Sequence, residues 1–294
     1  MILSIDLGST SFKAGVFDET LNQRGGGACR LQYRYGSNGE IELECDEVTR
    51  ALRVAIAEAV TTSGTDANAI RAVAITSQAQ TFTVLDKNGR PKMPFISWQD
   101  MRALDTCRTL KGISSLADFA HHTSFGEWSP LLQICQIKHL QETRPGFILR
   151  DDLIVSLPAY FIYKCCGKNT IDTNLAAMSG LYSLRDGNWW SAALQVCELE
   201  RSQLPDLVSI GAVAGMTRRG GNLFGLPEMI PIVLAGNDQT AGAYGARLHE
   251  NKGASHYAWN SARSVCLRGN TFHAGYCDYP WSISGRFALQ DGSR

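Results

Sequence analysis

The stretch ILSIDLGSTSFKAGVFD, residues 2–18, decides how the chain begins to fold. Two apolar runs flank four small residues, Gly8–Ser11, and the acidic residue Asp6 lies near the end of the first run. This pattern predicts a β-hairpin with strands over residues 2–6 and 12–17. The hydroxyls and backbone N–H groups of such a loop can wrap an anion, and an adjacent carboxylate can hold a metal ion. An ordinary hairpin turn uses the same residue types, so both interpretations stay open at this point.

Length and charge exclude several classes of protein. The 294 residues are enough for two domains. The 28 basic residues equal the 28 acidic residues, so charge favours neither nucleic acid nor an anionic membrane as a partner. The longest apolar run, residues 153–163, contains Pro158 and is too short to cross a bilayer. Asp6 and Gly8 interrupt the first apolar run, which argues against a signal peptide.

The cysteines and histidines indicate the compartment and argue against a metal centre. The nine cysteines are odd in number and include no C-x-x-C pair, which predicts reduced thiols in a cytoplasmic protein. Oxidised pairs are the alternative. The six histidines show no ligand spacing and the chain has no H-E-x-x-H, so a histidine metal site is not expected. No P-loop and no G-x-G-x-x-G is present.

The rest of the chain alternates between strand and helix patterns. Asp46 is predicted to cap the first helix, whose apolar face contains Val48, Leu52 and Ile56. Further strands are predicted over 71–78, 81–86, 231–238, 255–259 and 264–269, and helices over 47–61, 99–111, 129–142, 152–164, 190–199 and 239–248. Residues 270–294 show little periodicity.

Two further residues are candidates for chemistry. Asp238 follows a buried strand and precedes a helix, so it is either an N-cap or an acid facing the crevice where α/β proteins bind ligands. In the second case an ionised carboxylate accepts a proton from a substrate hydroxyl during phosphoryl transfer. Trp98 is followed by Gln99, Asp100 and Arg102. Flat apolar area beside polar groups suits a sugar or polyol, although most tryptophans serve packing alone.

Four stretches together resemble the FGGY family of carbohydrate kinases. They are IDLGSTSFKAGVFD (5–18), AVAITSQAQTFTVLDKNGRPKMPFISWQDMRA (72–103), DTNLAAMSGLYSLRDGNWW (172–190) and GLPEMIPIVLAGNDQTAGAYGA (225–246). The resemblance implies an α/β, actin-like (ribonuclease-H-like) ATPase fold with a mixed sheet flanked by helices, in which two domains close over ATP and substrate. Residues 1–246 would be the N-terminal sugar-binding domain, and residues 247–294 the start of a C-terminal nucleotide-binding domain.

The resemblance also implies roles for individual residues, with ATP and Mg²⁺ as cofactors. Asp6 would act on Mg²⁺ and the γ-phosphate, and Asp238 would be the general base with Gln239 beside it. The first phosphate loop would be Gly8, Ser9, Thr10 and Ser11 with Lys13 nearby, and the sugar site would contain Gln78, Gln80 and Trp98.

The sequence departs from the family in three places. Glycerol kinases carry an Arg-Glu pair where Ala79 and Gln80 stand, which predicts a sugar or sugar alcohol other than glycerol as substrate. Residues 259–261, Trp-Asn-Ser, replace a Gly-Thr-Ser-type phosphate loop. Family members are commonly much longer than this chain. We therefore expect a carbohydrate kinase completed by a second copy or by a complementing C-terminal domain, with a non-catalytic sugar-binding module or truncated kinase as the alternative.

A third possibility, another actin-like ATPase, is disfavoured by Trp98 and Asp238.

Overall fold

The computed structural model describes residues 1–123, 125–218, 223–245, 263–268 and 271–276 and shows a mixed α/β architecture. The strands are β1 (Ile2–Leu7), β2 (Ser11–Phe17), β3 (Gln23–Arg30), β4 (Arg34–Tyr35), β5 (Ile41–Leu43), β6 (Ala72–Ser77), β7 (Phe82–Leu85), β8 (Phe95–Ile96), β9 (Leu153–Ser156), β10 (Thr170–Asp172), β11 (Tyr182–Ser183), β12 (Asn188–Trp189), β13 (Asp206–Val208), β14 (Val213–Met216), β15 (Pro231–Asn237), β16 (Arg263–Arg268) and β17 (Thr271–Tyr276). The α-helices are α1 (Cys45–Ser63), α2 (Leu104–Lys111), α3 (Phe119–Thr123), α4 (Gln133–Thr143), α5 (Leu157–Cys166), α6 (Thr173–Ala177), α7 (Ser191–Val196) and α8 (Asp238–Gly245).

The main sheet has six strands in the order β14-β15-β6-β1-β2-β3. The predicted hairpin is confirmed, since β1 and β2 pair antiparallel with Asp6 opposite Lys13. β6 runs parallel to β1 on one side and to β15 on the other. Three strands from distant parts of the sequence therefore lie side by side and point in the same direction.

Helix α1 packs against β3 through glycines that allow the two backbones to approach closely. A Cβ on Gly25 would lie 2.5 Å from the carbonyl oxygen of Ala59, and one on Gly27 would lie 2.3 Å from that of Ala55. The apolar face predicted for this helix is buried. The helix begins at Cys45, however, so Asp46 lies within its first turn and the N-cap residue is Glu44, which makes no side-chain capping bond.

A second sheet, in the order β4-β5-β8-β7-β9, packs in a separate part of the molecule. The apolar core accordingly forms two clusters. One lies mainly on the main sheet with α1 and α5, and the other lies around β7, β8, α2 and α4. The second cluster supports the segment that contains Trp98.

Several predicted boundaries differ from the structure for identifiable reasons. The apolar run predicted as one helix, 152–164, is the buried strand β9 followed by α5, because Pro158 in the first turn fixes where the helix can start. Helix α2 starts at Leu104 and not near 99. Strand β17 was not predicted, and it pairs antiparallel with β16. The strand predicted over 255–259 lies outside the described residues.

Two predictions from the sequence concern membrane spans and the oxidation state of the cysteines. Among the described residues, no helix is both long enough and apolar enough to cross a bilayer. The seven cysteines from Cys29 to Cys197 are buried free thiols.

Candidate functional site

The parallel strands β1, β6 and β15 end at the same edge of the main sheet. Ser77, the last residue of β6, pairs with Leu7 in β1 and with Asn237 in β15. Polar residues therefore meet at this edge, where open α/β sheets place their ligands. Asp6 lies just before the end of its strand, and Gln78 and Asp238 directly follow theirs.

Asp6 is half-buried, and among the described residues one cation lies beside it. The ammonium of Lys13 lies 3.8 Å from its Oδ2. The other oxygen, Oδ1, is buried and has no hydrogen-bond partner among the described residues. Burial raises the pKa of Asp6, Lys13 opposes this, and the charge of Asp238 raises the pKa further. The ends of β1 and β15 lie at one sheet edge, and a cation bound there would relieve the repulsion between the two carboxylates.

These donors fit Mg²⁺ better than a metal held by protein ligands alone. Within the described ranges, no three His, Cys, Asp or Glu side chains come together as a metal site. Magnesium usually binds through one or two carboxylates and completes its octahedron with water and substrate phosphate oxygens. Asp6, with its unpartnered buried oxygen, is the residue best placed to be such a ligand.

The loop of residues 8–11 folds tightly beside Asp6. A Cβ on Gly8 would lie 3.1 Å from the carbonyl oxygen of Ser11 and 3.8 Å from the carboxylate of Asp6. The carbonyl of Thr10 accepts a hydrogen bond from the backbone N–H of Leu31 at 3.0 Å. The loop is a well-anchored hairpin turn, and its proposed contact with phosphate remains a prediction.

Gln78 and Gln80 lie in the turn between β6 and β7. The backbone N–H of Gln78 donates to Leu7 O at 3.0 Å, and its side-chain Nε2 donates to Gly8 O at 3.4 Å. Gln80 is buried and has a φ of 67°, a backbone conformation that is strained for any residue other than glycine. The buried Oε1 atoms of both residues have no hydrogen-bond partner among the described residues. Unpartnered acceptors on a strained turn are typical of a ligand-binding site.

Trp98 is held close to this turn. Its backbone N–H donates to the hydroxyl of Thr81 at 3.0 Å, and its side chain is half-buried. This bond places the backbone of Trp98 beside Thr81, the residue that follows Gln80.

The polar residues after Trp98 have a different role from the one expected. Asp100 is fully buried and accepts hydrogen bonds from the backbone N–H of Ile41 at 2.7 Å and from the guanidinium of Arg102 at 2.7 Å. The same guanidinium also donates to Glu42 at 2.8 Å. These charges fix the Trp98 segment against β5, so the expectation that Asp100 and Arg102 offer polar groups to a sugar is wrong.

Asp238 is the first residue of α8. Its Oδ1 accepts a hydrogen bond from the backbone N–H of Gln239 at 2.8 Å, and Asn237 Oδ1 accepts from the same N–H at 3.1 Å. Gln239 is buried. The helix N-terminus favours the ionised form of the carboxylate. Asp238 can therefore bond to the backbone at the start of α8 and still present an ionised carboxylate that can accept a proton.

Two residues that support Asp238 were missed from the sequence. The side chain of Asn174 accepts a hydrogen bond from the backbone N–H of Asn237 at 2.9 Å, across 63 positions. Asp172 is fully buried, and its Oδ1 accepts from the backbone N–H of Leu175 at 2.9 Å. Burial raises the pKa of Asp172 to about 6. The Asp-Thr-Asn sequence before a helix was a capping signal that could have drawn attention to this segment.

Comparison with known proteins agrees with this description. A model of the FGGY family of carbohydrate kinases, N-terminal domain, matches residues 1–245. The glycerol kinase of Agrobacterium fabrum is 27% identical over 255 residues, which are 83% of this chain and 49% of that protein. The glycerol kinase of Thermococcus kodakarensis is 26% identical over 258 residues, 85% of this chain and 50% of that protein. The chain thus spans about half the length of the curated relatives it matches.

Solved structures share the fold at low sequence identity. The xylulose kinase of Rhodospirillum rubrum superposes with a TM-score of 0.78 at 17% identity, covering 92% of this chain and 59% of that one. The Plasmodium falciparum glycerol kinase with ADP gives 0.76 at 20% identity, covering 84% of this chain and 50% of that one. Gluconate kinase from Lactobacillus acidophilus gives 0.74 at 19% identity, covering 81% and 48%. The predicted actin-like fold is confirmed.

Proposed function

Because the chain belongs to the FGGY family of carbohydrate kinases, we propose that it serves in the ATP-dependent phosphorylation of a hydroxyl on a sugar or sugar alcohol. Residues 1–246 would bind the sugar, and residues 247–294 would begin the nucleotide-binding domain. One observation carries the proposal: Asp6 near the end of β1 and Asp238 just after β15 lie at the same edge of the sheet, on parallel strands that flank β6, and the charge of Asp238 raises the pKa of Asp6. Two carboxylates at one sheet edge suit a magnesium-bound phosphate on one side and a reacting hydroxyl on the other.

Asp238 would act as the general base. Its carboxylate accepts the proton of the substrate hydroxyl while that oxygen forms a bond to the γ-phosphorus and the bond from phosphorus to ADP breaks. The N-terminus of α8 favours the ionised form that this step requires. Asn174 would assist by holding the backbone of Asn237, so that the carboxylate keeps its direction.

Asp6 and the loop of residues 8–11 would bind the phosphate side of the site. Bound Mg²⁺ would neutralise charge on the transferring phosphoryl group. Asp6 would be its protein ligand, and the loop would present backbone N–H groups and hydroxyls to the phosphate oxygens. Lys13, which is largely exposed and lies 3.8 Å from Asp6, would add positive charge near this loop.

The substrate site favours a larger polyol over glycerol. The two curated relatives compared above are glycerol kinases. In this chain, however, Ala79 and Gln80 stand where glycerol kinases are expected to carry an Arg-Glu pair. Two buried amide oxygens, on Gln78 and Gln80, have no partner among the described residues and can accept hydrogen bonds from hydroxyl groups. Trp98 would provide a flat surface for the C–H face of a pentose, a hexose or the corresponding alcohol, with Gln239 beside the base.

Titration calorimetry on the full chain tests the choice of substrate. The panel contains a pentitol, a hexitol, D-xylulose, D-gluconate and glycerol. We expect binding of at least one of the larger compounds. Glycerol binding tightly while the others fail to bind would contradict the assignment.

A coupled ADP-release assay with Asp238→Asn tests the chemistry. The amide keeps most hydrogen bonding, so sugar affinity should stay within about tenfold of wild type. Turnover should disappear, because an amide cannot accept the proton. The matched control, Asp18→Asn, changes a partly exposed acid at the opposite end of the hairpin and should leave turnover intact. Turnover that survives in Asp238→Asn would exclude this residue as the base.

A second candidate function is sugar binding without catalysis. It is favoured by residues 259–261, where Trp-Asn-Ser replaces a Gly-Thr-Ser-type phosphate loop. We propose that turnover needs a complete nucleotide-binding domain, provided in the same polypeptide, by a second copy or by a separate chain. Turnover of about 1–100 per second by the 294-residue chain alone would show that no such addition is needed. Use of ATP and reduced thiols would place the protein in the cytoplasm.

A further inference from the structure

Strand β15 contains a β-bulge just before the candidate base. Leu234 pairs with Ile75 of β6, and the next pair joins Asn237 to Ser77. Three steps along β15 thus match two steps along β6, so β15 carries one extra residue within 235–236. A bulge changes the direction of the side chains that follow it, and bulges are frequent beside active sites.

The extra residue changes the face of the sheet to which Asp238 is assigned. Side chains alternate between the two faces of a strand, and β1 and β6 each alternate between buried and half-buried residues. Asp6 and Thr76 pair in register, and both belong to the half-buried face. Along β15 the alternation is broken by two successive buried residues, Gly236 and Asn237. A strand without the extra residue would assign Asp238 to the buried face, whereas the bulged strand assigns it to the face of Asp6.

Two side chains hold the peptide group between the bulge and Asp238. The hydroxyl of Thr76 donates to the carbonyl oxygen of Gly236 at 2.8 Å, and Asn174 Oδ1 accepts from the N–H of Asn237 at 2.9 Å. A bulge releases backbone groups from the strand ladder, so the carbonyl needs such a partner. Because the C=O and N–H belong to one planar peptide group, the two bonds fix its orientation from opposite sides.

The same peptide has a backbone conformation that few residues adopt. Gly236 has a φ of 79°, which glycine accepts without strain. A Cβ at this position would lie 3.1 Å from Asn174 Oδ1. The bulge is therefore specified by a glycine and by the two side chains that bond to the peptide after it.

We propose that Thr76 is a positioning residue for phosphoryl transfer, because its hydroxyl holds the Gly236–Asn237 peptide and thereby directs the carboxylate of Asp238 toward the substrate hydroxyl. The role of Asp238 as base rests on the proposed function. Thr76 donates its proton to Gly236, so it acts through the backbone and not on the substrate. Loss of this bond should affect the rate more than substrate binding, since proton transfer depends on the alignment of the base.

Crystal structures of the full chain with Thr76→Val and with Thr76→Ser test the positioning directly. Valine keeps the shape of threonine without the hydroxyl, and serine keeps the hydroxyl. In Thr76→Val the Gly236–Asn237 peptide should rotate and the Asp238 carboxylate should move by about 1 Å, a displacement large enough to impair catalysis. Thr76→Ser should preserve both. An unmoved Asp238 carboxylate in Thr76→Val would overturn the proposal.

The matched control is Thr83→Val, in the second sheet. It removes the same kind of bond, which the Thr83 hydroxyl donates to the carbonyl oxygen of Met93 at 2.7 Å. The bulge and the Asp238 carboxylate should keep their positions in this variant. If they moved as far as in Thr76→Val, the displacement would reflect a general loss of packing and the specific role of Thr76 would be refuted.

The coupled ADP-release assay then separates positioning from a structural role. Thr76→Val should lower kcat about a hundredfold while KM for the sugar stays within about threefold, and Thr76→Ser should restore kcat. An unchanged kcat in Thr76→Val, or an equal loss in Thr76→Ser, would show that the hydroxyl does not direct the base. A wild-type chain that neither bound nor turned over any compound of the panel would refute the proposed function. The crystal structures decide the positioning of Asp238 in either case, because they need no turnover.

Discussion

Asp172→Asn should stabilise the protein at neutral pH, although it replaces a residue that supports the candidate site. The Asp172 side chain is fully buried, and its Oδ1 caps α6 by accepting from the backbone N–H of Leu175 at 2.9 Å. Burial raises its pKa from 3.8 to about 6, and the backbone N–H groups of Leu175, Asn174 and Gly236 oppose the shift only in part. The ionised carboxylate is therefore less stable in the folded protein than in the unfolded chain.

The magnitude follows from the shift in pKa. A rise of about 2 units makes the ionised carboxylate cost about 3 kcal/mol of folding free energy. The folded protein binds this proton more tightly than the unfolded chain. The neutral form of Asp172 thus contributes its full stabilisation of the folded protein below the unfolded pKa of 3.8. This stabilisation is lost as the pH rises through about 6. Asparagine carries no charge and is itself a good N-cap residue, but its Nδ2 replaces Oδ2, a buried atom without a hydrogen-bond partner among the described residues. An unpaired buried donor there costs about 1 kcal/mol. The net gain should be about 2 kcal/mol at pH 7.5.

Urea unfolding of wild type and Asp172→Asn between pH 4 and pH 8 measures this difference directly. The variant should be more stable at pH 7.5, and its advantage should shrink to zero or reverse toward pH 4. Asp66→Asn is the matched control, because Asp66 is an exposed N-cap whose Oδ1 accepts from the backbone N–H of Asn68 at 2.9 Å. It should give no gain at pH 7.5. A variant at Asp172 that is less stable than wild type at pH 7.5, or a difference that does not change with pH, would refute the reasoning.

Three further outcomes are expected. Gly27→Ala should destabilise the chain by several kcal/mol in urea unfolding, because its Cβ would lie 2.3 Å from Ala55 O. Gly26→Ala, whose Cβ meets only the flexible end of a glutamine, is its control, and an equal loss in both would contradict the packing argument. Gln80→Gly should relieve the positive φ and raise stability by about 1 kcal/mol while weakening polyol binding in calorimetry, and lower stability would show that the turn is not strained. Asp238→Asn should lower the pKa of Asp6 in an NMR titration of its carboxyl carbon, and an unchanged pKa would mean that the two acids do not share one region.

The strands at the site could be predicted because their signals are local. Apolar alternation and small-residue turns located β1, β2, β6 and β15, and the acids at the strand ends followed from those positions. Helix α1 was predicted from its apolar face over 47–61, and the observed helix, Cys45–Ser63, extends two residues further at each end. These features depend on neighbours in the sequence.

The remaining features depend on tertiary contacts that no local pattern contains. Asp100 and Arg102 look available in the sequence, but their charges are paired with Glu42 and the backbone of Ile41, about 60 residues away. Asn174 reaches the backbone beside the candidate base across 63 positions. Residue type alone cannot distinguish a polar side chain that binds a ligand from one that is paired within the fold, because both use the same groups.

Because β1, β6 and β15 meet at one sheet edge, the candidate site can form only after all three strands have been synthesised. Ser77 pairs with Leu7, 70 positions earlier, and with Asn237, 160 positions later, so no short piece of the chain contains the site. A nascent polypeptide emerges N-terminus first, and the hairpin and β6 can pair well before β15 has been made. Such an intermediate has Asp6 and Gln78 but lacks Asp238, and the edge of β6 that should receive β15 is open to pairing with other chains. The nascent chain should therefore acquire ligand affinity late and abruptly, when β15, the last strand of the site, is inserted into the sheet.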